Sequence, residues 1–382
     1  MGISVNEIQR LFLRYVRMGL WRNEEAYTGQ ALSSEDWKQL FRLAHSQGVT
    51  GLFIDGVAQD SVRPDNVLWD KWVAHLFFLE QANRYIAQRG EVWIGKLAEA
   101  GISATVFKGA SVATWYPEPL HRSLGDVDIV ITEGWNRLEG ILTEEGRNLF
   151  RKDEDEVVLE EKNQLMVEFH RRWEYLYHPA NNRRLQQWCT AVKPDNQERY
   201  LVCLILHIQR HFLTYGIGLK QVCDVAVMLQ RASLDGNRVA NWLRSLHADK
   251  FSRLLFGFIA LHLGGVEHYP LSPIVSGKEL ELLSRGILNE GYNSKIEQEL
   301  VAGSKNRSVA RIANNAVFWT KRCFSIYRLM PSEVSCFLLS KVFKRLGSIF
   351  KNINVIQNGT KCSEESRSHK RRCTRDPSLR SG

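Results

Sequence analysis

Phe107-Lys108-Gly109-Ala110-Ser111-Val112-Ala113 and, a little further on, Arg122-Ser123-Leu124-Gly125-Asp126-Val127-Asp128-Ile129-Val130-Ile131 decide how this chain is read. Residues 103–107 are short, β-prone and run into Lys-Gly. Residues 127–131 alternate and end apolar, as a strand buried against a core does. Side chains on a strand point alternately to its two faces. Asp126 and Asp128 therefore share one face, and Val127 and Ile129 share the other. Two carboxylates at the mouth of a strand make an oxygen-rich site of the kind Mg2+ takes, with substrate phosphates completing its coordination. Without a cation such a pair is costly, because like charges repel and burial penalises both. Neutralising Asp128 as Asn is therefore expected to leave the ligand-free protein as stable or more stable.

The chain downstream supplies a third carboxylate. Strands are expected at 156–161 and 164–170, joined by a tight turn at Lys162-Asn163. In Val167-Glu168-Phe169-His170, Glu168 and His170 lie on one face and the apolar pair on the other. If this strand lies beside Asp126–Asp128, Glu168 completes a cluster, as a shared metal ligand or as the base for an attacking hydroxyl. Between the strands, a helix is expected from Trp135 to Glu145, stopped by Gly146.

A strand, a Lys-Gly turn, a short helix, Gly-Asp-X-Asp at a strand start and a later strand carboxylate together resemble the DNA polymerase beta-like nucleotidyltransferase superfamily. More narrowly, Lys108-Gly109, Arg122 to Asp128 and Glu168-Phe169-His170 resemble a bacterial family described only as uncharacterised nucleotidyltransferase. The resemblance takes in the helix around Trp37 to Val49, then His207, His211, Lys220 and Asp224, and Pro331-Ser332-Glu333. It spans about residues 5–345. The superfamily's usual Gly-Ser is Gly109-Ala110-Ser111 here, and its commoner third Asp is Glu168.

This resemblance implies an α+β fold, a small mixed sheet forming a nucleotidyltransferase core between helical regions. It implies Mg2+ or Mn2+ held by Asp126, Asp128 and Glu168, the catalytic carboxylates. Lys108, Gly109, Ser111, Arg122, His170 and Lys220 would bind the nucleotide. A nucleoside monophosphate would pass from an NTP to an unidentified hydroxyl-bearing acceptor: a small molecule, sugar, peptide or protein. The alternative is a catalytically weak module with the same fold that binds nucleotide or a protein partner.

Outward from this core, the pattern is helical on both sides. Ser33 and Asp36 form a capping box ahead of Trp37, Leu40, Phe41 and Ala44, with Gly48 as the stop. A second helical stretch runs from Val67 to Ala100 and ends at Gly101, with Gly90 and Gly95 placed to break it. The division expected is 1–101 helical, 102–178 core, 179–350 helical and 351–382 a basic, disordered tail. Eleven Lys/Arg and three Asp/Glu fall in the last 42 residues, so eight of the nine net positive charges lie there. The rest is nearly neutral and offers no broad footprint for nucleic acid.

Several residues have plainer readings beside these. His207 and His211 are four apart, a spacing that can hold zinc, but they are expected to be packed histidines because no third ligand is evident. Lys220 and Asp224 form a surface ion pair by default, and Arg122 can pair with Asp126 or Asp128. The seven cysteines are odd in number and show no zinc or redox spacing, so reduced thiols are expected. No apolar run approaches the roughly 18 residues of a membrane span. With no secretory core at the start, a cytoplasmic protein is expected.

Overall fold

The computed structural model describes residues 5–22, 31–144, 149–191, 196–214, 216–290 and 319–341. The expected tail, the Gly146 stop, Cys362 and Cys373 lie outside them. Helices α1 (Val5–Trp21), α2 (Ser34–Ser46), α3 (Thr50–Ala58) and α4 (Asn66–Glu99) come first. The α/β unit follows as β1 (Ser103–Val106), α5 (Gly109–Ala113), β2 (Asp126–Glu133), α6 (Leu138–Glu144), β3 (Leu149–Lys152), β4 (Glu156–Glu160) and β5 (Met166–His170). Then come α7 (Pro179–Ala191), α8 (Gln197–Thr214), α9 (Leu219–Arg231), α10 (Gly236–Ser245), α11 (Asp249–Phe258) and α12 (Lys278–Arg285). Residues 319–326 and 331–341 are also helical. This is the α+β architecture expected, with a small mixed sheet between helical flanks.

Local chemistry explains the element ends. The Asp36 N–H donates to Ser33 Oγ (3.2 Å), and the Ser33 N–H donates to Asp36 Oδ2 (2.9 Å), so the capping box is present. At the start of α4 the Leu68 N–H donates to the Asp65 carboxylate (2.9 Å). Gly90 and Gly95 do not break α4, which runs unbroken for 34 residues. A Cβ at Gly90 would sit 3.4 Å from Val106 Cγ2 and 3.5 Å from Val127 Cγ1, so the glycine lets the helix lie close on β1 and β2. Gly101, at φ 69°, ends it.

The sheet order is β1-β2-β5-β4-β3. Strands β2 and β5 are the parallel pair, and the other three pairings are antiparallel. Edge strand β3, Leu-Phe-Arg-Lys, was not expected from the sequence: it is four residues long and has no sustained alternation. One sheet face buries Val127, Ile129, Ile131, Val167 and Phe169 against Ile86, Trp93 and Leu97 of α4 and Leu138 and Leu142 of α6. Trp93 meets Phe169 edge to face at 5.1 Å. Its indole N–H donates to Glu161 (2.9 Å), a buried carboxylate that Arg89 also grips with two bonds of 2.7 Å. A polar edge is thereby satisfied inside an otherwise apolar layer.

The other face looks toward the C-terminal helices. Phe107, Val130, Trp173 and the apolar sides of α8 and α9 share one core with α1, α2 and α3. The helices before the sheet and those after it therefore pack together. Glu333, from the Pro331-Ser332-Glu333 segment, accepts from the N–H groups of Tyr177 (2.6 Å) and His178 (3.3 Å) just beyond β5. Cys189, Cys203, Cys223 and Cys323 are buried free thiols.

Candidate metal and nucleotide site

Strand register assembles the site. In the parallel β2–β5 ladder Asp128 lies beside Glu168, and Val130 beside His170. Val127 and Ile129 go into the apolar layer, at 2% and 0% exposure, which leaves the carboxylates on the opposite face as expected. Antiparallel β4 brings Glu156 opposite His170. The ligating atoms of Asp128, Glu168 and His170 all lie within 4.8 Å of one another. Asp126 stands two residues before Asp128 on the same face.

The Lys-Gly turn enters from β1. The Phe107 N–H donates to the Asp128 carbonyl (2.9 Å), so Lys108 emerges beside Asp128. Lys108 is left-handed (φ 59°, ψ −143°), a region a non-glycine residue occupies only when it is held there. Here its N–H donates to the Tyr200 hydroxyl of α8 (2.7 Å), and the Ser111 hydroxyl donates back to its carbonyl (2.8 Å). Tyr200 and Ser111 also share a short hydroxyl–hydroxyl bond. The side chain then reaches forward, and Lys108 Nζ donates to Asp128 Oδ1 (2.9 Å). His170 Nε2 lies 2.8 Å from the same oxygen.

These contacts divide the carboxylates electrostatically. Burial alone would raise the Asp128 pKa, but Lys108 and His170 hold it well below the carboxylate range. Glu168 has weaker help. Burial, then the charges of Asp128 and Asp126, push it up to about 7. Asp126 is likewise raised, first by burial and then by Asp128, against the pull of Lys220. The repulsion read from the sequence is thus relieved at Asp128 by the chain's own groups and persists at Glu168 and Asp126.

Arg122 does not pair with Asp126 or Asp128. It is 6% exposed and grips Asp224 of α9 through Nε (3.1 Å) and Nη2 (2.6 Å), and the Tyr116 hydroxyl donates to the same carboxylate (2.6 Å). Asp224 is accordingly buried, not the surface partner of Lys220 that its spacing suggested. Asn83 of α4 holds the loop carrying Arg122. Its amide donates to the carbonyls of Leu120 (2.6 Å) and Arg122 (3.0 Å), and its Oδ1 accepts from Leu124 N–H (3.0 Å). Lys220 approaches from the start of α9 with its stem against Gly48, where a Cβ would lie 3.4 Å from the Lys220 Cβ and Cδ. Burial and then Arg122 lower its pKa.

Residue 33 begins, and residue 264 ends, the match of this chain to the family described as Uncharacterised nucleotidyltransferase. The chain belongs to that family. The matched stretch holds the sheet, the Lys-Gly turn, every residue of the site and helices α2 to α11, and is narrower than the span read from the sequence. No curated protein matches the chain. Within the family stretch, three site-facing residues were not singled out in the sequence: Glu156, Glu174 and Tyr200. Glu156 was not recoverable: counting back from a Lys162-Asn163 turn sets it opposite Phe169, whereas the turn spans Lys162–Gln164 and shifts the register by one, to His170. Glu174 had no signal either. It is 4% exposed and bonds His207 Nδ1 (2.9 Å) and Arg210 Nε (2.6 Å), near enough to Lys108 to add to its charge stabilisation. His207 packs against His211 with ring centroids 4.1 Å apart and the rings tilted by 41°, and burial followed by the Lys108 charge takes His207 down to about 4. Those histidines are packed and neutral, in line with the plainer reading. No helix among the described residues is long and apolar enough to cross a membrane.

Proposed function

We propose that this chain transfers a nucleoside monophosphate from an NTP to a hydroxyl-bearing acceptor with the help of Mg2+ or Mn2+. One observation carries the reading: Asp128 and Glu168 stand side by side on parallel strands with His170, with ligating atoms within 4.8 Å, and Glu168 is short of positive charge. Carboxylate oxygens beside an imidazole suit a divalent cation, and Asp126 lies on the same face to share it. A bound divalent ion would offset charge on the phosphate and activate the attacking hydroxyl. Asp126, Asp128 and Glu168 would hold it.

The remaining residues do the positioning. Lys108, the Gly109 backbone and Ser111 face incoming phosphate. Lys220 and Arg122 add positive charge behind Asp126, and His170 steadies Asp128. Glu168 serves as a shared ligand of the ion or as the base for the acceptor hydroxyl. The test is transfer of α-labelled NTPs to a cell extract by wild type and Glu168→Gln. Turnover should fall by about 10²–10⁴ in the variant while nucleotide binding persists. Equal transfer by both would remove Glu168 from the reaction.

A second reading, a nucleotide-binding or partner-binding module with little turnover, draws on one feature. The Lys108 N–H and the Ser111 hydroxyl are already engaged by Tyr200. Stable Mg2+-dependent NTP binding with no transfer in the presence of acceptor extract would favour it.

A further inference from the structure

Asp128 Oδ1 receives both Lys108 Nζ and His170 Nε2, at 2.9 and 2.8 Å. A divalent ion bound through that oxygen, at about 2.0–2.1 Å for Mg2+, would sit against the Lys108 ammonium. Two like charges on one carboxylate oxygen repel strongly in a partly desolvated site, and the Lys108 side chain is only 16% exposed. One of them must leave.

The backbone shows which part can move. Lys108 is pinned by its N–H bond to Tyr200, and the Tyr200 ring is packed edge to face on Phe107 (4.9 Å) and Trp173 (6.4 Å). The turn therefore stays, and only the flexible Lys108 stem can swing. A swinging ammonium needs a new counter-charge, since an unpaired buried charge is costly. Glu174 is held by His207 and Arg210, and in the reading above Asp126 and Glu168 are taken up by the ion. The phosphates of an incoming nucleotide are the anion that arrives with the metal.

Resting on the reading of the site given above, we propose that Lys108 is an internal stand-in for the metal. Its ammonium neutralises Asp128 in the free protein, yields Asp128 to the divalent ion, and passes to the nucleotide phosphates. Bare metal must then strand Lys108, whereas metal arriving with nucleotide does not. The site thereby selects the metal–nucleotide complex over the metal alone.

The experiment uses the full chain and Mn2+ as the probe, followed by water-proton relaxation, with and without each of the common ribonucleoside triphosphates. Lys108→Met should bind Mn2+ alone more tightly, by about ten- to a thousandfold, the range by which a neighbouring charge biases an ionisable site. It should bind Mn2+-nucleotide more weakly than wild type. Lys108→Gln keeps a donor for Asp128 without the charge, so it should shift both affinities in the same senses by smaller factors. Thermal melts establish that each variant is folded, and Lys108→Gln decides the matter where Lys108→Met is not. Equal Mn2+ affinity in wild type and the folded variants, with binding lost in Asp128→Asn, would overturn the proposal and leave the metal site standing. Tighter Mn2+ binding with unchanged nucleotide affinity would overturn the transfer to phosphate. No Mn2+ binding in any form, with or without nucleotide, would overturn both the proposal and the site.

Discussion

Two buried carboxylate sites flank the same short loop, and they are built in opposite ways. On one side Asp224 takes both arms of Arg122 and the Tyr116 hydroxyl, so one guanidinium answers one carboxylate. On the other, β2 and β5 set Asp128 beside Glu168, with Asp126 further along the same face, and Lys108 and His170 both bond a single oxygen of Asp128. The first is a closed clamp joining the Arg122 loop to α9. The second carries surplus negative charge. A fully matched pair holds the fold, whereas a mismatched one leaves a place for a cation from outside.

The sharpest way to break this contrast is at the clamp. Asp224→Asn strands a buried arginine that cannot shed its proton, and should lower stability by about 3–5 kcal/mol. Urea melts measure this, and a change of a few tenths would show that the clamp is not structural. Asp128→Asn should cost less, about 2–4 kcal/mol, because losing Lys108's partner is offset by less repulsion at Glu168 and Asp126. That reverses the expectation from the sequence, which rested on repulsion between the carboxylates. Mg2+ with NTP should raise the melting temperature of wild type through linkage and leave that of Asp128→Asn unchanged.

Proton linkage sharpens the comparison further. Glu168 sits at about 7 in the folded protein and at 4.5 when unperturbed. Between those values the folded state keeps a proton that the unfolded chain has released, so metal-free stability falls as pH rises through this window. The deficit is fully developed above it and amounts to about 1–3 kcal/mol. Glu168→Gln should therefore be more stable than wild type near pH 8 and equal to it near pH 4, as read by denaturant melts. A stability gain that is the same at both pH values would mean that Glu168 is not the titrating group.

The smallest effect tests α4 itself, at an exposed position where no charge balance is at stake. A Cβ at Gly95 meets nothing within 4 Å, and α4 is continuous through it. Gly95→Ala should stabilise the protein by about 0.5–1 kcal/mol through helix propensity alone. A loss instead would show that α4 is strained at that point.

What the sequence determined by itself was local. Alternation in residues 126–131 and 167–170 set which side chains share a face, because a strand has a fixed period of two. The Ser33–Asp36 cap and the helical runs could be read because their partners lie within one turn. The turn near 162–163 was legible too, but not the Glu156–His170 register, because the turn centres on Asn163 and shifts the pairing by one residue. What only the tertiary structure decided was the pairing of charges far apart in the chain. Arg122 met Asp224 across 102 residues instead of its near neighbours, and Tyr200 met the Lys108 turn across 92. Spacing carries no record of such contacts. They follow from how α8 and α9 settle on the sheet, where each buried charge must find an opposite one or remain uncompensated. Glu168 is the group left nearest to that second condition, and only the assembled fold makes it so.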